Sequence, residues 1–211
     1  MSLWGALFFG VLQAQCATGA SVVSPSTMPW FDSQTSTAYA SPDGRYVVGL
    51  ARVAVKSSVH EQWVQEDATV IQDLKEWRRI DVLSHNAGDI VRCQWSSDGT
   101  SLLVNNRIAS NVSRSYIYDP LTGRRTELPV PAGLLRKIQD CQCEIDRRHV
   151  WGIRWLSEQT VSYEVSLSGL STPDAALHRK RCHAKGTFEF ALLAGAVTVS
   201  EYVDCDVKVQ R

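Results

Sequence analysis

Two short runs concentrate the side chains that can do chemistry. The first is Cys141-Gln142-Cys143-Glu144-Ile145-Asp146-Arg147-Arg148-His149. Two thiolates and an imidazole at this spacing are suitable donors for Zn²⁺ or Cu⁺. A lone Cys-x-Cys pair more often serves disulfides in an exported chain, so no metal or other cofactor is expected, with Cys141, Cys143 and His149 the candidates if one binds. The second run is His178-Arg179-Lys180-Arg181-Cys182-His183-Ala184-Lys185. It packs positive charge into one loop or strand end and is the candidate ligand site, able to hold a carboxylate, a phosphate or an acidic partner surface through His178, Arg179, Lys180, Arg181 and His183. The alternative is a solvated basic turn that guards a sheet edge.

Other chemistry has no local signature. None of the five histidines stands in a metal-hydrolase spacing. There is no Gly-x-Ser-x-Gly elbow and no phosphate-cradling glycine loop, so no catalytic residue is assigned. Asp43 and Asp98 resemble paired carboxylates, but each stands in a turn where its side chain can hydrogen-bond its own backbone. Asn111-Val112-Ser113 is a glycosylation sequon, of use only in a pathway that reads it.

Bulk properties set limits on partners and compartment. The chain has 211 residues, and 22 lysines and arginines balance 22 aspartates and glutamates. No global field recruits nucleic acid or an anionic membrane. Residues 1–20 are expected to be a signal peptide: Leu3 to Leu12 is an apolar run of h-region length, too short for a transmembrane span, and small residues follow it. Lipidation at Cys16 is the less favoured variant. The expected compartment is therefore periplasmic or extracellular and oxidising. Beyond Cys16 lie Cys93, Cys141, Cys143, Cys182 and Cys205. The preferred disulfide is Cys182 with Cys205, both in or beside strands near the C-terminus. Cys93 with Cys141 or Cys143 comes next.

The elements that would position these residues read as strands. Residues 21–36 are an extended, Ser/Thr/Pro-rich lead-in. Ser41-Pro42-Asp43-Gly44 is a tight turn, followed by a β-branched, aromatic strand from Arg45 to Val55. His60 to Val64 and Trp77 to Leu83 are further strands. Ala68 to Glu76 is expected as a strand with a polar turn, although Val70, Ile71, Leu74 and Trp77 also fit one helical face. The pattern then repeats: Ser96-Ser97-Asp98-Gly99 aligns with Ser41-Pro42-Asp43-Gly44, and Trp155 with Trp95, Glu158-Gln159 taking the place of Asp-Gly. Repeats are placed near 37–88, 89–148 and 149–211.

Trp-Ser-Ser-Asp-Gly-Thr-Ser-Leu-Leu-Val and Ala-Ser-Pro-Asp-Gly-Arg-Tyr-Val-Val resemble the WD40-like blade motif of TolB-type β-propellers. Tyr-Ile-Tyr-Asp-Pro-Leu-Thr-Gly-Arg-Arg-Thr-Glu-Leu is similar to the third and fourth strands of such a blade. The resemblance implies an all-β fold, with residues 37–211 forming one domain of about three four-stranded blades. Propellers usually close with about four to eight blades, so an open or incomplete stack is expected, whose free edges invite a partner. The expected function is a non-catalytic, exported interaction module for a protein or cell-envelope component, with self-association through blade edges as one form of it. The alternatives are a small hydrolase or lyase on the same scaffold, and a truncated relative of a larger propeller.

Overall fold

A computed structural model describes residues 22–23, 38–56, 63–84, 91–171 and 179–210. The expected signal peptide, most of the lead-in, His60 and His178 lie outside them. The strands, in chain order, are β1 (Val22–Val23), β2 (Ala38–Ala40), β3 (Tyr46–Lys56), β4 (Trp63–Asp73), β5 (Arg78–Ser84), β6 (Val91–Trp95), β7 (Leu102–Ala109), β8 (Val112–Tyr118) and β9 (Arg125–Glu127). A helix, α1 (Ala132–Asp140), precedes β10 (Cys143–Ser157), β11 (Thr160–Ser171), β12 (Arg179–Ala191) and β13 (Ala196–Gln210).

The fold is all-β and propeller-like, with three four-stranded antiparallel blades in an open stack: β2–β5, β6–β9 and β10–β13. Neither of its two sheets closes. The segment Ala68 to Glu76 is strand followed by turn, because Ala68, Val70 and Ile71 face opposite sides of a sheet buried on both faces.

Strand alternation produces the stack. On blade 1, Tyr46, Val48, Ile71 and Leu83 face Trp95, Leu102, Val104, Tyr116 and Tyr118 of blade 2. The opposite side of β7 and β8 sends Leu103 and Ile117 into a second core with Val150, Val161, Tyr163, Val165, Leu167, Phe188 and Phe190 of blade 3. Blade 3 is polar on its outer side. Arg181 pairs there with Asp146 at 3.6 Å and Lys185 with Glu164 at 2.6 Å. That face closes one end of the stack with charge rather than with another apolar layer.

Two features were not expected from sequence. Helix α1 fills the second core with Leu134 and Ile138, both fully buried, after a start at Pro131. The third blade also begins earlier than residue 149, since β10 runs from Cys143. Its residues Arg148 and His149 pair in parallel with Val112 and Ser113 of β8, while β9 takes the other half of the same β8 edge at Tyr116–Tyr118. Blades 2 and 3 therefore share one hydrogen-bonded sheet.

Candidate functional site

The cysteine chemistry differs from expectation. The disulfide joins Cys143 to Cys182, with Cα atoms 6.4 Å apart, and the expected Cys182–Cys205 pairing is corrected. In the register of β12 and β13, Cys182 lies opposite Val207 rather than Cys205. Its side chain points into the second core, where Cys143 also lies. The bridge crosses β11 at Gly169, the register partner of Cys182. A Cβ at Gly169 would stand 2.5 Å from the Glu144 carbonyl oxygen and 3.2 Å from the Cys143 Cβ, so only glycine leaves room for the crossing.

The Cys143 sulfur is thus committed, and Cys141, Cys143 and His149 do not form a metal-ligand set. The alternative bridge from Cys93 to Cys141 or Cys143 is also absent. Cys93 packs against the blade 1–2 core and Cys141 against the blade 2–3 core.

The two aspartates have structural roles. Ser41 Oγ donates to Asp43 Oδ1 and accepts from the Tyr46 N–H, and Asp43 Oδ1 accepts from the Arg45 N–H. Ser96, Asp98, Thr100 and Ser101 repeat this pattern bond for bond. Gly44 and Gly99 close the turns at φ of 69° and 74°, a region that costs a side chain energy. Burial pushes the Asp98 carboxyl up, but hydrogen bonds from Ser96 and Thr100 outweigh it and hold the group below the usual carboxylate range.

The basic run at Arg179–Lys185 lies on strand β12, not in a loop. Alternation buries Cys182 and Ala184 and turns Arg181, His183 and Lys185 outward. Arg181 and Lys185 are engaged in the ion pairs described above, while the His183 ring is exposed. The described part of this cluster is a charge-paired sheet face.

The first strands of the blades form a more continuous feature. The indole N–H of Trp95 on β6 donates to the Tyr39 carbonyl on β2 at 3.4 Å, and that of Trp155 on β10 donates to the Gln94 carbonyl on β6 at 3.0 Å. Tyr39 and Gln94 hold equivalent repeat positions, so one contact is used twice to set β2, β6 and β10 side by side. Behind this row, Asn105 treats Gly152 as a strand partner. Its amide donates to the Gly152 carbonyl at 2.9 Å and its carbonyl accepts the Gly152 N–H at 2.7 Å. A Cβ on Gly152 would fall 2.6 Å from Leu103.

The row exposes apolar and cationic groups together. Past His149, the only strand paired with β10 is β11. On the other side the Ser115 and Asn105 side chains take the Val150 carbonyl and both backbone groups of Gly152, and Ile153 and Leu156 remain 48% and 43% exposed. Arg92 stacks over Trp151 at 5.6 Å. At the end of the row near the blade turns, Ser97, Ser157, Glu158 and Gln159 line an open depression of about 320 Å³.

At the other end, Ser113 Oγ lies 3.0 Å from His149 Nδ1. Burial, then the charges of Arg107 and Arg147, lower the proton affinity of His149. This is a nucleophile–base spacing, which neither residue's local sequence showed. Ser113 is only 4% exposed, however, and no described carboxylate orients the ring. The pair ties β10 to β8 at the one place where these strands are in register.

No described helix is long and apolar enough to cross a membrane. No family model matches the chain, and no curated protein matches it. Among solved structures, the chain is similar to TolB from Acinetobacter baumannii at 12% identity and a TM-score of 0.34, with 88% of this chain and 52% of that one covered. A puromycin hydrolase is similar at 14% identity and a TM-score of 0.34, with 81% and 29% covered. A prolyl endopeptidase structure follows at 10% identity and a TM-score of 0.25, with 87% and 44% covered. The chain thus spans about half or less of the length of these structures, and its fold assignment rests on strand order and blade packing.

Proposed function

We propose that residues 37–211 act as one exported, non-catalytic binding module that takes a protein or cell-envelope component along the row of first strands. The observation that carries this reading is the half-paired β10. Beyond His149 its only strand partner is β11. Side chains of β7 and β8 cover the other edge as far as Gly152, and past that residue the edge has no described backbone partner, with Ile153 and Leu156 exposed beside it. Such an edge is a template for another chain, and apolar groups on it supply the area that makes pairing stable. The Cys143–Cys182 disulfide supports export, because such bonds persist in oxidising compartments.

The test is capture of partners from a cell-envelope extract by wild type and by the Ile153→Lys/Leu156→Lys variant, with light scattering to read self-association. Both positions are exposed, so the variant keeps the wild-type melting curve. The expected result is loss of the captured species or of the oligomer. Identical capture and identical mass for the two proteins would sink the proposal.

A hydrolase on the same scaffold is the second reading, favoured by the Ser113–His149 distance alone. It requires labelling of Ser113 by an alkyl fluorophosphonate, abolished in Ser113→Ala. An unlabelled wild-type protein removes it.

A further inference from the structure

We propose that the arginine-rich wall made by β6, β7, β8 and the second half of β10 binds an acidic segment of a partner protein. The inference rests on the binding-module reading and names the chemistry of what is bound. In a chain with equal numbers of acidic and basic residues, these strands hold six arginines and no aspartate or glutamate from Val91 to Trp95, Leu102 to Ala109, Val112 to Tyr118 or Arg147 to Ser157. Register puts Arg92, Arg107, Arg147 and Arg154 on one face, the wall, and Arg114 and Arg148 on the other. Among the described residues only Arg114 reaches a carboxylate, that of Glu127 on β9 at 3.6 Å. The other five are exposed and have no ion pair among the described residues.

Register concentrates this charge. Arg107 lies opposite Ser113 on β8, and Ser113 lies opposite His149 on β10. Arg147 is two residues before His149, and no bulge separates them, so it emerges on the same face. Two guanidiniums therefore flank one imidazole, and both depress its proton affinity. Like charges held together without counter-charges repel, and carboxylates that dock between them relieve that repulsion.

The composition favours a protein over a lipid or a nucleic acid. Every cation of the wall is arginine, whose planar fork binds carboxylates bidentately. Exposed Ile108 and Ile153 interleave with them, and Trp151 backs Arg92. Arginine and tryptophan are enriched at the energetic centre of protein interfaces. Past Gly152, the edge of β10 adds backbone donors and acceptors for an extended segment.

The test uses the full chain and a fluorescein-labelled peptide of alternating glutamate and alanine, with its lysine counterpart as control, read by fluorescence anisotropy. The acidic peptide is expected to bind saturably and to weaken as salt rises. In Arg107→Gln/Arg147→Gln the affinity falls by about tenfold or more, while Arg136→Gln, an exposed change on α1, leaves it unchanged. Vesicles of phosphatidylglycerol and phosphatidylcholine form a separate arm. Equal peptide affinity in wild type and the double variant, or saturable binding to vesicles with none to the peptide, overturns the inference. Partner capture by the same variants separates this failure from that of the wider reading. If Arg107→Gln/Arg147→Gln captures normally and Ile153→Lys/Leu156→Lys does not, only the acidic-segment inference falls.

Discussion

Trp95 and Trp155 each send an indole N–H across a blade boundary, and this is the residue-scale content of the repeat. Their alignment was legible because a tryptophan stands three residues before the Asp-Gly of one turn and the Glu-Gln of the other. Their acceptors were not, because a backbone carbonyl leaves no mark on sequence. Trp155→Phe keeps most of the apolar contact and deletes the donor. We expect a loss of about 1 kcal/mol, seen as a melting temperature lowered by about 2–4 °C, with the fold unchanged by circular dichroism. Asp73 is a second case. It is 1% exposed and accepts from the Lys75 and Glu76 N–H groups and from Arg45. Burial pushes its carboxyl up, but these bonds outweigh it and the folded pKa is depressed. A depressed carboxylate stabilises the fold above the unfolded value of about 3.9 and loses that contribution as pH falls through the lower folded value. Asp73→Asn should therefore cost about 2 kcal/mol at neutral pH, and urea melts at decreasing pH should show the gap to wild type closing below about pH 3.9.

Among the elements, the first two blades were the most legible, because Ser-x-Asp-Gly turns and strict alternation mark both ends of each hairpin. The third was less so. Its turn shrinks to Glu158-Gln159, its first strand starts at Cys143, and the helix before it was missed although Pro131, Leu134, Leu135 and Ile138 carry a start signal and a helical face. The disulfide could not be read at all, since its partners lie on strands separated by β11 and become neighbours only after the sheet forms. Gly169→Ala tests that arrangement. Its methyl would meet the Glu144 backbone, which cannot move like a side chain end. We expect a destabilisation of about 1–3 kcal/mol and free thiol from Cys143 and Cys182 in a peptide map of the alkylated protein. Gly152→Ala presses instead on the flexible end of Leu103. It should cost less and leave the disulfide formed by the same map.

For the whole molecule, the neutral charge balance hid a segregation that only strand order reveals, since Arg92, Arg107 and Arg147 are far apart in sequence. Open-ended stacking was legible from the small number of repeats, whereas the polar finish of blade 3 depended on which side of β11 and β12 faces out. The shared edge of β8 has a further consequence. Blades 2 and 3 are joined by backbone hydrogen bonds, with the helix packed beside them. Blade 1 is joined to blade 2 through side chains only among the described contacts, chiefly the packed core, Trp95 and the Arg125–Asp81 pair. The protein should therefore unfold in two steps of unequal height. Native-state amide exchange is expected to show β3 and β4 opening as one unit at lower denaturant than β7, β8 and β11. Simultaneous exchange of all of them would show one cooperative body. If the steps are distinct, blade 1 is the part that can detach and re-form while the arginine wall and its supporting sheet stay intact.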